Sequence, residues 1–208
     1  MFNIYVKVDP SVSSGFNEAY YPMYQDVNVM MLIGFGYLMV FIKSNGWSAL
    51  AYTFIINVIV VQEYILWQQF WHKTFFGGWG EPILISETSF TGASYCVASI
   101  LIAFGAVLGK VEPNILMALA NFGVFFYTLN EALCYEVLGV KDSGGSTVIH
   151  TYGAYFGLTA TLLLSWKIKP TKQPKISKVS TTLAMIGTLF LWMYWPSFNA
   201  GVFPENQF

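Results

Sequence analysis

The 208-residue sequence contains no arginine at all, and only ten lysines, two histidines and two cysteines. Arginine normally supplies the bidentate fork that grips phosphates and guanine edges, so its absence argues against nucleic acid as a partner. Charge is scarce in general: 10% of residues are charged, against about 25% in an ordinary soluble domain. Cys96 and Cys134 both fall inside apolar runs and read as small buried hydrophobes, not as a disulfide or metal framework. No metal or cofactor is therefore expected, and no enzymatic reaction. The first residues also lack a basic segment followed by a short apolar core, so the first hydrophobic span is expected to drive membrane insertion itself. With 55% hydrophobic and 18% aromatic residues, this is an integral membrane protein.

The sequence has in place of charge a series of apolar runs, each long enough for a hydrocarbon core about 30 Å thick. Residues 1–26, with Pro10, Pro22, Ser13, Ser14 and Gly15, read as an irregular extramembrane segment. Transmembrane helices are predicted over about 27–42, 49–70, 89–108, 114–138, 147–168 and 179–196, with 200–208 as a tail. The fold class is all-α, in six spans. Gly34 and Gly36 mark close packing in the first span. Gln62, Glu63, Gln68 and Gln69 make the far half of the second polar, and His72 opens an interfacial connection rich in glycine and aromatics. Pro113 suits the first turn of the fourth span, where its missing N–H costs nothing. Lys43, Lys110 and the five lysines of 167–178 lie on one side, Lys7, Lys73 and Lys141 on the other. The positive-inside tendency makes the richer side cytoplasmic and puts both termini outside.

One stretch combines an acid, a glycine turn and a histidine in an apolar setting: KDSGGSTVIHTYGAYFGL at 141–158. Gly144 and Gly145 permit a tight turn, and Ser146 or Thr147 is positioned to cap the helix that follows. His150 then lies in the first turns of a membrane-length helix, with Asp142 at its positive end. An imidazole in hydrocarbon is costly, so it faces either a cavity or a bonding group on a neighbouring helix. Gly153 and Gly157 bring another backbone close. Glu131, Glu136 and Asp142 gather on the outer side, above the histidine. That arrangement suits a cation or weak-base pathway: carboxylates concentrate the cation, and the low dielectric below favours its neutral form. A haem held by His72 and His150 is a poor alternative, because His72 belongs to the interfacial connection.

Four segments in order, QDVNVMMLIGFGYLMVF at 25–41, CVASILIAFGAVLGKVEP at 96–113, the histidine stretch and AMIGTLFLWMYWPSFN at 184–199, resemble the Rhesus glycoprotein branch of the ammonium transporter family. The resemblance implies a plasma-membrane homotrimer whose subunits each carry a pore between two inverted five-helix repeats. It implies that ammonium is deprotonated at an outer gate and that ammonia is conducted past a pore histidine. His150 matches the first of two stacked pore histidines, and Asp142 the structural carboxylate at the head of that helix. Glu131 matches an acid of the outer vestibule, and Phe198 one of two stacked gate phenylalanines. Tyr95 stands where the other gate ring belongs, and Thr181 where this branch commonly has an acid. The chain corresponds to one five-helix repeat plus the first helix of the second, with the second pore histidine on the remaining helices. The resemblance thus implies ammonium transport as an incomplete half, completed by further helices of a longer chain or of another one. The other reading is a non-transporting structural subunit associating with full-length relatives.

Overall fold

A computed structural model of the chain describes residues 6–9, 20–42, 46–164 and 176–200. Six helices run through these residues. Helix α1 spans Tyr20–Phe41 and contains a π-helical stretch, Met30–Phe35. Helix α2 is Gly46–Phe76 and α3 is Glu87–Val107. Helix α4 spans Pro113–Val137 and ends in a π-helical stretch, Ala132–Val137. Helix α5 opens with π-helical Ser146–Thr151 and continues as Tyr152–Leu164, and α6 is Lys178–Ala200. Helices α1 to α4 are each long and apolar enough to cross a membrane; α5 and α6 pack in the same bundle.

Helix α3 sits at the centre, because its sequence of Ala, Gly, Ser and Cys lets neighbours approach on every side. Most of its residues are buried. The expected close approach of α5 is realised: a Cβ on Gly153 would lie 2.6 Å from the Ser99 carbonyl oxygen, and one on Gly157 2.8 Å from the Ala103 Cα. Small residues at such a crossing bring backbones together, and dispersion then holds the helices where no hydrophobic drive exists. Helix α6 packs on α1, where a Cβ on Gly34 would lie 2.8 Å from the Leu191 side chain.

Three element bounds differ from the hydrophobic pattern. Helix α1 starts at Tyr20, not Val27, because its polar first turns find protein partners. Tyr24 packs on Phe90 with ring centroids 5.9 Å apart, and Asp26 accepts a hydrogen bond from Ser197. Helix α2 runs on to Phe76, taking in part of the expected connection. Its aromatic face is bound to α4 there, with Trp67 and Trp71 4.8 and 5.1 Å from Phe125 and the Trp71 indole N–H donating to the Phe125 carbonyl. Helix α6 continues through Pro196 to Ala200. Within the segment expected to be irregular, β1 (Val6–Val8) pairs in parallel with β2 (Ile83–Ile85), Val6 opposite Ile83. The 43–45 turn, lysines 167–175, the tail 201–208 and residues 1–5 and 10–19 lie outside the described residues.

Candidate functional site

The head of α5 is built by its own sequence. Gly144 and Gly145 both take left-handed backbone, with φ of 72° and 68°, a region that other residues enter only at a cost. The double turn folds Asp142 back over the helix start. Its Oδ2 accepts from the backbone N–H of Thr147 and of Val148, each at 2.8 Å. The cap expected from Ser146 or Thr147 is thus supplied by Asp142, while Gly145 holds the cap position itself. Two orphan donors of the first turn are satisfied by one carboxylate at the positive helix end. The π-helical opening is braced further along by Thr151, whose hydroxyl donates to the Ser146 carbonyl at 2.8 Å.

His150 sits in this opening, half-buried, with Nδ1 3.1 Å from the Gly145 carbonyl oxygen. A carbonyl can only accept, so the neutral ring carries its proton on Nδ1 and leaves the Nε2 lone pair free. Two rings of α6 flank it, Trp195 with its centroid at 5.5 Å and Phe198 at 5.9 Å. Trp195 and Phe198 stack on each other at 5.2 Å with planes 13° apart. Tyr95, from α3, meets Phe198 edge to face at 4.8 Å and 77°, and its hydroxyl donates to the Phe198 carbonyl at 3.1 Å. Phe198 is wholly buried and Tyr95 nearly so.

His150, Tyr95 and Phe198, far apart in sequence, therefore form one cluster, and Asp142 fixes the helix that carries the imidazole. Trp195 is the ring of this cluster that the sequence reading does not single out. Its spacing of three from Phe198, across Pro196, is the signal that puts both rings on one face of α6. Asn199 completes the contact: its side-chain oxygen abuts Gly144, where any Cβ would collide with it.

Glu131 is held elsewhere at the same end of the bundle. It is half-buried, and its Oε2 accepts from the Tyr64 hydroxyl of α2 at 2.9 Å. Tyr64 itself is buried against Gly92 of α3 and 6.4 Å from the Tyr127 ring. Glu136 pairs instead with His72, Nδ1 to Oε2 at 3.0 Å. The two histidines thus have separate partners, and among the described residues no cluster of His, Cys, Asp and Glu could hold a metal ion. A small void of about 10 Å³ between Ile56, Ile100, Phe104 and Phe156 is lined by apolar side chains alone. Without polar partners it offers water no purchase. Among the described residues, polar groups that could meet a small solute lie around His150 and around Glu131.

The sequence pattern of the family described as Ammonium Transporter Family matches residues 11–207. Among curated relatives, ammonium transporter Rh type C of Pan troglodytes is 44% identical over 190 residues, covering 89% of this chain and 39% of that protein. The protein of the same name from Xenopus tropicalis is 46% identical over 184 residues, covering 88% and 38%. The chain spans about two fifths of the length of these relatives. A solved structure described as "Nitrosomonas europaea Rh50 and mechanism of conduction by Rhesus protein family of channels" aligns with a TM-score of 0.80 and 33% identity. That alignment takes in 92% of this chain and 52% of that one.

Proposed function

This chain belongs to the ammonium transporter family, and from that premise we propose that it takes part in moving ammonium or ammonia across a bilayer, along a route that passes His150. The observation that carries the reading is the setting of that imidazole. Its Nδ1 is committed to the Gly145 carbonyl, and it lies beside Phe198, which Tyr95 covers in turn. An unprotonated Nε2 accepts a hydrogen bond from the N–H of a small neutral amine passing alongside. It gives a metal cation or ammonium only a single neutral ligand in place of a full hydration shell.

In this mechanism Glu131 offers its side-chain oxygens to the N–H groups of ammonium near the outer end. Tyr64 keeps its carboxylate pointed and bonded. Between there and His150 the solute meets the edge-to-face rings of Tyr95 and Phe198, which exclude water. A charge cannot cross that apolar layer cheaply, so ammonium leaves its proton on the outer side and ammonia goes on. The rest of the proposal is a homotrimer in the plasma membrane with both termini outside, and a pore completed by helices beyond this half-length set. Support for that last part is the coverage of about two fifths of the curated relatives.

The test is an ammonium pulse onto proteoliposomes loaded with a pH dye and holding the chain together with the helices that complete its pore. Proteoliposomes should turn alkaline faster than protein-free vesicles as ammonia enters. Equal rates, with an identified full-length Rh-type chain co-purifying, would instead support a structural subunit.

A further inference from the structure

The last turn of α6 is held by side chains of other helices as well as by its own backbone. Pro196 lies inside the helix. It has no N–H to give the carbonyl four residues back, at Trp192, and its ring strains that turn, so the helix is weakest there. Beyond it, Ser197 and Phe198 are tied to neighbouring helices. Two tertiary bonds take over. Ser197 donates to the Asp26 carboxylate of α1 at 2.6 Å, and Tyr95 of α3 donates to the Phe198 carbonyl at 3.1 Å. A third bond is local, from the Asn199 amide to the Trp195 carbonyl at 3.2 Å. The same short arm carries the Phe198 ring that covers His150.

We propose that residues 197–200 form a hinged arm over His150, pivoting at Pro196 and latched shut by Tyr95 and Asp26, with the Tyr95 hydroxyl as positioning group. The resemblance puts a phenylalanine at position 95; the hydroxyl is what this chain adds. Its one proton is engaged by the Phe198 carbonyl, so as a donor the hydroxyl acts on the arm. Removing it deletes a hydrogen bond that exists only while the arm is closed, so the loss penalises the closed state and favours opening. The inference rests on His150 being the group the arm covers and is independent of what passes it.

The test is the rate at which diethyl pyrocarbonate modifies each histidine, read by peptide mass spectrometry on the purified chain in detergent. His72, whose side chain is 48% exposed, is the internal reference. Tyr95→Phe keeps the ring and should speed modification of His150 by about two- to tenfold, the range one hydrogen bond corresponds to, with His72 unchanged. Ser197→Ala should act in the same direction. An Asp26→Cys/Ser197→Cys pair closed by oxidation should slow His150 below the parent rate, and reduction should restore it. Unchanged His150 rates in Tyr95→Phe and Ser197→Ala would overturn the latch, as would an oxidised pair that leaves His150 as reactive as before. Flux measurements fail or succeed separately, so a chain that conducts nothing can still show the latch.

Discussion

Replacing Asp142 by alanine should loosen the whole head of α5. Its Oδ2 accepts two backbone N–H groups at 2.8 Å, those of Thr147 and Val148. Val148 is completely buried, so its N–H has no water to turn to once the carboxylate is gone. A hydrogen bond to a charged acceptor contributes about 1.5–3 kcal/mol. Thr147 is exposed and can be rehydrated, so its bond adds only about 0.5 kcal/mol more, at the low end for a helix cap. The expected loss is about 2–3.5 kcal/mol, roughly a 30- to 370-fold shift in the folded-to-unfolded ratio. Asp142→Asn keeps an acceptor but loses the charge at the positive helix end and should cost about 1 kcal/mol. Ser146→Ala should be neutral, since no side chain at the helix start other than that of Asp142 takes the cap role. Equilibrium unfolding in mixed micelles, followed by tryptophan fluorescence, ranks the three. A Ser146→Ala protein as unstable as Asp142→Ala, or an Asp142→Ala protein equal to the parent, would refute the reasoning.

Gly153→Ala should destabilise by about 2 kcal/mol or more, because the new methyl would sit 2.6 Å from the Ser99 carbonyl oxygen and force α5 off α3; the same unfolding assay reads it. Tyr64→Phe removes the donor bonded to Glu131 and should cost about 1–3 kcal/mol, as a half-buried carboxylate loses its partner; Tyr52→Phe, without such a bond, is the control. Glu131→Gln should raise the ammonium concentration needed for half-maximal flux, because one acceptor oxygen is lost from the side chain; flux curves for parent and variant show whether it does.

Much of this was legible in the chain before any coordinates. The turn at Gly144 and Gly145, the close approach at Gly153 and Gly157 and the membrane helices follow from local rules that act within a few residues. What escaped was tertiary. That Tyr20 to Asp26 is helical depends on Phe90 and Ser197, which lie far along the chain. Trp71 and its neighbours resemble an interfacial belt by composition, and only Phe125 across the gap makes them the continuation of a helix. The cap on α5 was assigned to the nearest hydroxyls because those obey the common spacing. The observed acceptor comes from five residues before Thr147, a reach that needs two left-handed glycines together. Phe198 and Tyr95 were paired by family resemblance alone; no pattern in the sequence reveals that a hydroxyl on α3 meets a carbonyl on α6.

Ammonia entry into matched proteoliposomes carrying the parent chain or His150→Ala, each completed by the same further helices and with Asp142, Tyr95 and Phe198 intact, bears most directly on the proposed route past the imidazole. Entry that falls toward the protein-free rate in the variant, while its folding in micelles stays that of the parent, is the predicted result. Entry of equal speed and equal saturation in both would remove His150 from the path and contradict the account.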